Sequence, residues 1–260
     1  MKFLDLVNNY KSIGLSKGDN VLIASAMWRL SPVHNYNNQC KAHADAIFSV
    51  IGDCGSIIVS TSSQNLCNTD NAFNIGETPS FERGAFSEYI RKQPGSARSM
   101  HPFNSYSALG PISSELVKNI SSSAYGPDSV DDRMGRISTK FLALGSPLNI
   151  IQSVHHVEHV VGVPYRYHKE FNHPIAIDND ITYHNFYLYV KYLNSDVKNS
   201  LNKRIFNAIS EDLKIATFNM GRSNISSYSY NDFISLTTKR MTKDKYIWCE
   251  NTPNFKPWRE

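Results

Sequence analysis

Val21-Leu22-Ile23-Ala24 and, after an intervening amphipathic stretch, Ile57-Ile58-Val59 are the two runs that decide the fold. Each is short, apolar and without polar alternation, which is how a strand buried on both faces reads. Between them, residues 37–52 place Ala46, Ile47, Val50 and Ile51 on one helical face, and Gly52 to Gly55 ends the helix. A strand, loop, helix, strand order of this kind predicts a sheet covered by helices.

Working outward, Phe3, Leu4, Leu6, Val7 and Tyr10 recur at helical spacing over residues 3–12, with Gly14 as a C-terminal stop. Residues 60–83 are rich in Asn, Ser and Thr and read as a long functional loop. Short helices are expected over 84–91, stopped at Pro94-Gly95, and over 113–120, capped by Ser113 or Ser114. Phe141 to Leu144 forms a third buried strand, and 149–161 has helical character. Beyond Pro164, Ile181, Tyr183, Phe186, Leu188 and Val190 recur with a period near two, as antiparallel strands do; 196–214 turns helical again. Neither a repeat nor a linker divides the chain, so residues 1–260 are one domain.

The 260 residues carry a net charge of only +4, and Lys239, Arg240, Lys243 and Lys245 form the one loose basic group. That argues against nucleic acid as a partner. Four cysteines without CxxC spacing argue against a zinc knuckle or a disulfide framework, and no stretch approaches a membrane span. A cytoplasmic protein without a signal peptide is the expectation.

Three motifs carry chemistry. The first runs from Thr78-Pro79-Ser80 through Gly84-Ala85, Glu88 and Pro94-Gly95 to Arg98-Ser99-Met100-His101-Pro102, and closes with Ser105, Ala108 and Gly110-Pro111. The second is Tyr125-Gly126-Pro127 with Ser129. The third is Leu144-Gly145, then Ser153-Val154-His155-His156-Val157-Glu158, continuing to Val163-Pro164-Tyr165-Arg166. In order and spacing they resemble the antibiotic N-acetyltransferase family, whose best-known members are aminoglycoside 3-N-acetyltransferases. The likeness covers roughly residues 17–170. It departs at Ala24-Ser25-Ala26, where relatives often carry His-Ser-Ser, and at Val59-Ser60-Thr61, where they carry Met-Pro-Thr.

The resemblance implies an α/β/α sandwich around a mixed sheet, no metal, and coenzyme A as the carrier of an acetyl or larger acyl group. Residues 1–170 would form the coenzyme and catalytic part and 171–260 the acceptor side. His155 is similar to the family's base: a sugar ammonium must lose a proton before it attacks a thioester, and imidazole titrates near neutrality. Glu158, three residues on, shares its helical face and would orient the ring. Backbone N–H groups of the Ser25-Ala26-Met27 turn are the candidate oxyanion donors. Arg98 is expected to pair with a coenzyme phosphate, and Ser99, Ser105 and Ser129 to donate hydroxyls. Gly126 would allow close backbone approach, with His101 and Tyr125 completing the cofactor set. Thr61, Glu77, Tyr165 and Arg166 are assigned to the acceptor.

Rival readings stay open. His155, Glu158 and His159 also fit the H-x-x-E-H zinc-peptidase pattern. The altered Ala24-Ser25-Ala26 loop suits a non-catalytic binding protein. The acceptor is a small-molecule amino sugar. Net positive charge, with Tyr183, His184, Phe186, Tyr187 and Tyr189 as stacking rings, favours a nucleotide-linked (dTDP-type) amino sugar for surface polysaccharide; the alternative is an aminoglycoside. A homodimer is a guess.

Overall fold

A computed structural model describes residues 1–148, 151–178, 180–199 and 203–259. Helix α1 (Phe3–Ser12) leads into strand β1 (Asn20–Ser25), a 3-10 turn (Met27–Arg29), α2 (Gln39–Ile51) and β2 (Ser56–Ser60). β3 (Phe73–Asn74), α3 (Gly84–Arg91), β4 (Ala97–Arg98) and β5 (Tyr106–Leu109) follow, then α4 (Ser113–Val117), α5 (Val130–Arg136), β6 (Thr139–Leu144) and α6 (Val154–Val161). The chain continues through β7 (Arg166–Ile177), β8 (Asp180–Lys191), α7 (Lys203–Ile209), β9 (Ala216–Asn219), β10 (Asn224–Ser229) and α8 (Tyr230–Lys243).

The main sheet has seven strands in the order β4-β5-β2-β1-β6-β10-β9. β1 pairs in parallel with β2 (Leu22 opposite Ile58) and with β6 (Leu22 opposite Phe141), while β5 and β10 flank this centre antiparallel. Parallel neighbours need a crossover, and α2 supplies it. Its start is fixed by Asn38, whose side chain accepts from the Lys41 N–H, and its end by Gly52 at φ 67°, whose N–H donates to Phe48 O at 2.8 Å.

The lack of polar alternation in the central strands has a direct cause. Leu22, Ile58 and Phe141 face a core closed by α4 to α8; Val21, Ile23, Ile57, Val59, Leu142 and Leu144 face a second core under α1, α2 and α3. Both faces are covered, so the expected α/β/α sandwich around a mixed sheet is the architecture. A separate sheet, β3-β7-β8, rests on a third cluster built from Leu66, Phe73, Phe103, Ile175 and Phe186.

Several expectations need correction. The 60–83 loop contains β3, which pairs with β7. Neither Ser113 nor Ser114 caps α4: Ile112 holds the cap position without a side-chain bond, and Ser113 is already the first helical residue. The helix expected over 149–161 begins at Val154, with the Ser153 hydroxyl at its N-cap position bonded to Asp131; Asn149 and Ile150 lie outside the described residues. Of the helix expected over 196–214, only Lys203–Ile209 is helical, and residues 200–202 lie outside the described residues. In the C-terminal third, β9 and β10 complete the main sheet, and α8 packs on α6.

Candidate active site

In an open α/β sheet the crevice forms beyond the carboxyl ends of strands, where neighbouring connections leave to opposite sides. Here that point is β1, with β2 on one side and β6 on the other. A cleft of about 410 Å³ opens there, walled by Ser25, Ala26 and Met27, by Glu82 and Arg83 before α3, and by Gln152 and Ser153 before α6. The Met27 and Trp28 N–H groups take no partner among the described residues, and the Ser25 hydroxyl is buried without one. Gly145 permits this turn: at φ 69°, a Cβ there would stand 2.9 Å from Ala26 O. An apolar slot edged by spare donors fits an acyl-pantetheine arm with its polarised carbonyl.

The residues leading out of the cleft into α6 carry the titratable pair. His155 Nδ1 lies 2.8 Å from Glu158 Oε2, and Arg166 Nε lies 2.6 Å from the same oxygen. The Glu158 side chain is fully buried, that of Arg166 8% exposed and that of His155 26%. A buried carboxylate needs such a partner, and Arg166 supplies the charge. The imidazole is held between Tyr125 and Trp248, with ring centroids 5.1 and 4.9 Å away. Burial and the Arg166 charge lower its pKa below the ordinary 6.5, partly offset by Glu158. The ring is therefore neutral near pH 7. With Nδ1 turned to Glu158, Nε2 is the nitrogen left for a substrate proton.

Asp131 fixes the entry to α6. Fully buried on α5, it accepts from Ser153 Oγ at 2.5 Å and from Tyr106 Oη at 3.0 Å, while Tyr230 donates to its backbone oxygen. Burial raises its carboxyl above the usual range, and these donors work against that rise. Sequence reasoning missed Asp131 and Trp248. The bond to Ser153 spans 22 positions, and Trp248 lies 93 positions beyond His155. No local period reports either contact.

The structure gives most of the expected coenzyme set internal work instead. Arg98 is buried, donating to Thr61 O and Thr78 O at 2.5 Å and to Ser105 Oγ at 3.2 Å, with its guanidinium over the Phe73 ring. Its donors are directed at loop carbonyls and at the hydroxyls of Ser63 and Ser105. The Ser99 hydroxyl accepts from the Tyr106 N–H, Ser105 donates to Thr61 O, and Ser129 caps α5. His101 is buried against Phe186, accepts from the Asn104 N–H, and is driven down to about 4 by burial. Gly126 is needed for an internal approach: a Cβ would meet Ser123 Oγ at 2.7 Å.

On the acceptor side, Thr61 is buried, its hydroxyl 3.2 Å from that of Ser107, and Glu77 is exposed beside Asn74. Tyr165 is buried next to Glu158, which together with burial raises its pKa. The aromatics of β8 split rather than forming one wall: Phe186 and Tyr189 face the interior, while Tyr183 is 58% exposed. His156 bonds Tyr125 O, and His159 packs on His168 and Tyr189. Among the described residues no three His, Cys, Asp or Glu side chains converge as metal ligands would.

Comparison with known proteins agrees with this architecture. Residues 22–242 match the family model described as aminoglycoside 3-N-acetyltransferase. Aminoglycoside N(3)-acetyltransferase VII of Streptomyces paromomycinus is 24% identical over 200 residues, covering 70% of this chain and 68% of that protein. Aminoglycoside N(3)-acetyltransferase III of Salmonella sp is 25% identical over 171 residues, and the match spans 59% of each chain. Among solved structures, AAC-IIIb in a binary complex with CoASH superposes with a TM-score of 0.82 at 16% identity, covering 97% of this chain and 99% of that one. AAC-VIa bound to sisomicin gives 0.81 at 20% identity, covering 94% and 98%. At those identities the superpositions speak to the fold; the family match, which spans most of the sequence, speaks to descent. The chain belongs to the aminoglycoside 3-N-acetyltransferase family, whose members are acyl-CoA-dependent N-acyltransferases.

Proposed function

We propose that this chain transfers an acetyl group from acetyl-CoA to an amine of an aminoglycoside-type amino sugar. The observation that carries the reading is the imidazole–carboxylate pair, 2.8 Å apart on α6, the helix that starts from Ser153 of the cleft wall. The residues divide the work. Neutral His155 takes a proton from the acceptor ammonium, and Glu158 holds the ring and balances the charge it gains. The amine attacks the thioester carbonyl, and the N–H groups of Met27 and Trp28 receive the developing oxyanion. The carbon–sulfur bond then breaks: the proton on His155 passes to the leaving thiolate, and the remaining extra proton on the cationic nitrogen passes to the freed imidazole and on to solvent, leaving a neutral amide and a thiol. Coenzyme A supplies the activated acyl group; the apolar cleft excludes water that would hydrolyse it.

The acceptor preference drawn from net charge is reversed. The relatives are named for aminoglycosides, and net charge is a whole-molecule property that does not describe one cleft. The nucleotide-linked amino sugar is the second reading. One observation favours it: Arg83, a cation, stands in the cleft wall. A cytoplasmic location belongs to the same proposal and accords with four unpaired cysteines. Thiol release from acetyl-CoA, measured against a panel of aminoglycosides and a panel of nucleotide-linked amino sugars, tests the reading. Turnover with aminoglycosides is expected; turnover confined to the second panel would overturn the acceptor, and none with either would overturn the activity.

A further inference from the structure

Beside the cleft, with Ser146 and Pro147 lining both, lies a second pocket of about 400 Å³. Three segments meet there: the turn after β1 with Arg29, the loop Gly145–Leu148 after β6, and the β9–β10 turn with Arg222. The pairing of β10 on β6 brings them together, since Ile225 lies opposite Leu144 and the Gly145 N–H donates to Asn224 O at 3.0 Å. The walls hold both arginines with Asn219 and Asn224, and no Asp or Glu. Among the described residues neither guanidinium has a carboxylate partner, and Arg29 touches only Gly145 O, at 3.5 Å. Trp28, which lines the neighbouring cleft, is 83% exposed, and the Arg29 guanidinium stands 5.1 Å from its ring.

Two guanidinium forks without counter-charge recognise phosphate oxygens, and an indole left open beside them offers a face to a flat base. We propose that this pocket takes the diphosphate of a nucleoside diphosphate. Trp28 stacks on the base, and the rest of the ligand runs past Ser146 and Pro147 into the cleft. The proposal rests on the acyl-transfer reading and deepens it, because two substrate classes of that reading carry this group: coenzyme A, and a nucleotide-linked amino sugar. A polycationic acceptor would meet like charge here.

Calorimetric titration of coenzyme A and of dTDP into the intact chain, the double variant Arg29→Gln with Arg222→Gln, and Trp28→Ala tests it. Both arginines and the indole are exposed, so the variants keep the core intact. The double variant is expected to bind the responding nucleotide at least about tenfold more weakly, with a shallower salt dependence, and Trp28→Ala about fivefold more weakly. In the double arginine variant the KM for acetyl-CoA rises in parallel if the coenzyme is the source, while S-acetylpantetheine, which lacks phosphate, reacts as before. Loss confined to dTDP and to a nucleotide-linked acceptor assigns the same subsite to the acceptor. Binding of neither nucleotide by the unaltered chain, equal binding by the variants, or an equal rise of KM for S-acetylpantetheine would overturn the proposal. Failure of the acyl-transfer reading registers separately, as absent thiol release from a chain whose nucleotide binding is intact.

Discussion

His155 is held on three sides, by Glu158 at Nδ1 and by the Tyr125 and Trp248 rings, so its freedom is spent before a substrate arrives. Replacing it by Ala should lower kcat about 10²- to 10⁴-fold while calorimetry still registers coenzyme binding. The charges around it set the pH profile. Arg166 depresses the imidazole pKa and Glu158 raises it. Removing the arginine in Arg166→Gln should therefore move the acid limb of kcat/KM to higher pH, and Glu158→Gln should move it lower. Stationary limbs would mean that another group titrates. Arg166→Gln also leaves a buried carboxylate uncompensated, at a cost of about 3–5 kcal/mol in urea denaturation. His155 and Glu158 were legible because H-x-x-E arrived with two upstream motifs in the expected order. Trp248 was not, since only the fold carries it back to the ring.

The start of α6 depends on α5. Asp131 gathers the hydroxyls of Ser153 and Tyr106, and so joins α5, β5 and the start of α6 at one carboxylate. Asp131→Ala strands buried donors and should cost about 3 kcal/mol, with kcat falling as the helix entry loosens. Asp132→Ala, one residue away on a half-buried ion-pair network, should cost about 1 kcal/mol or less. Equal losses in the two denaturation curves would refute this role. Elements also explain where the serines and Arg98 sit. The Arg98 to Pro111 stretch marks a loop architecture, and its polar side chains satisfy backbone carbonyls that a long loop leaves exposed within the core. Residue type and order identified the loop, but residue type alone does not say whether a donor faces a ligand or a carbonyl. The start of α4 failed for a related reason: Ser113 and Ser114 are suitable caps by type, yet Ile112 holds the cap position.

For the whole molecule, a sheet covered on both faces explains why the three central strands were readable from apolar runs alone. Strand order, and the return of β9 and β10 to the main sheet, were not readable, since each rests on pairings between distant segments. The covered core has a pH consequence. His43 and His101 are buried and held down to about 4, against about 6.5 when unfolded. Between those values the unfolded chain binds more protons, so stability is full above about pH 6.5 and is lost as pH falls toward 4. Each should contribute about 2 kcal/mol less at pH 5 than at pH 7, read as a lower urea midpoint, and His43→Gln should remove its own share. The central claim is that the imidazole of His155, on the helix that starts at the cleft wall, takes the acceptor's proton. A crystal structure with a non-reactive acyl-CoA analogue and an aminoglycoside tests it most directly: the account predicts the reacting amine within about 3.2 Å of His155 Nε2, with the carbonyl oxygen turned to the Met27 and Trp28 N–H groups. An amine seated out of reach of that ring, with no water between them, would contradict it.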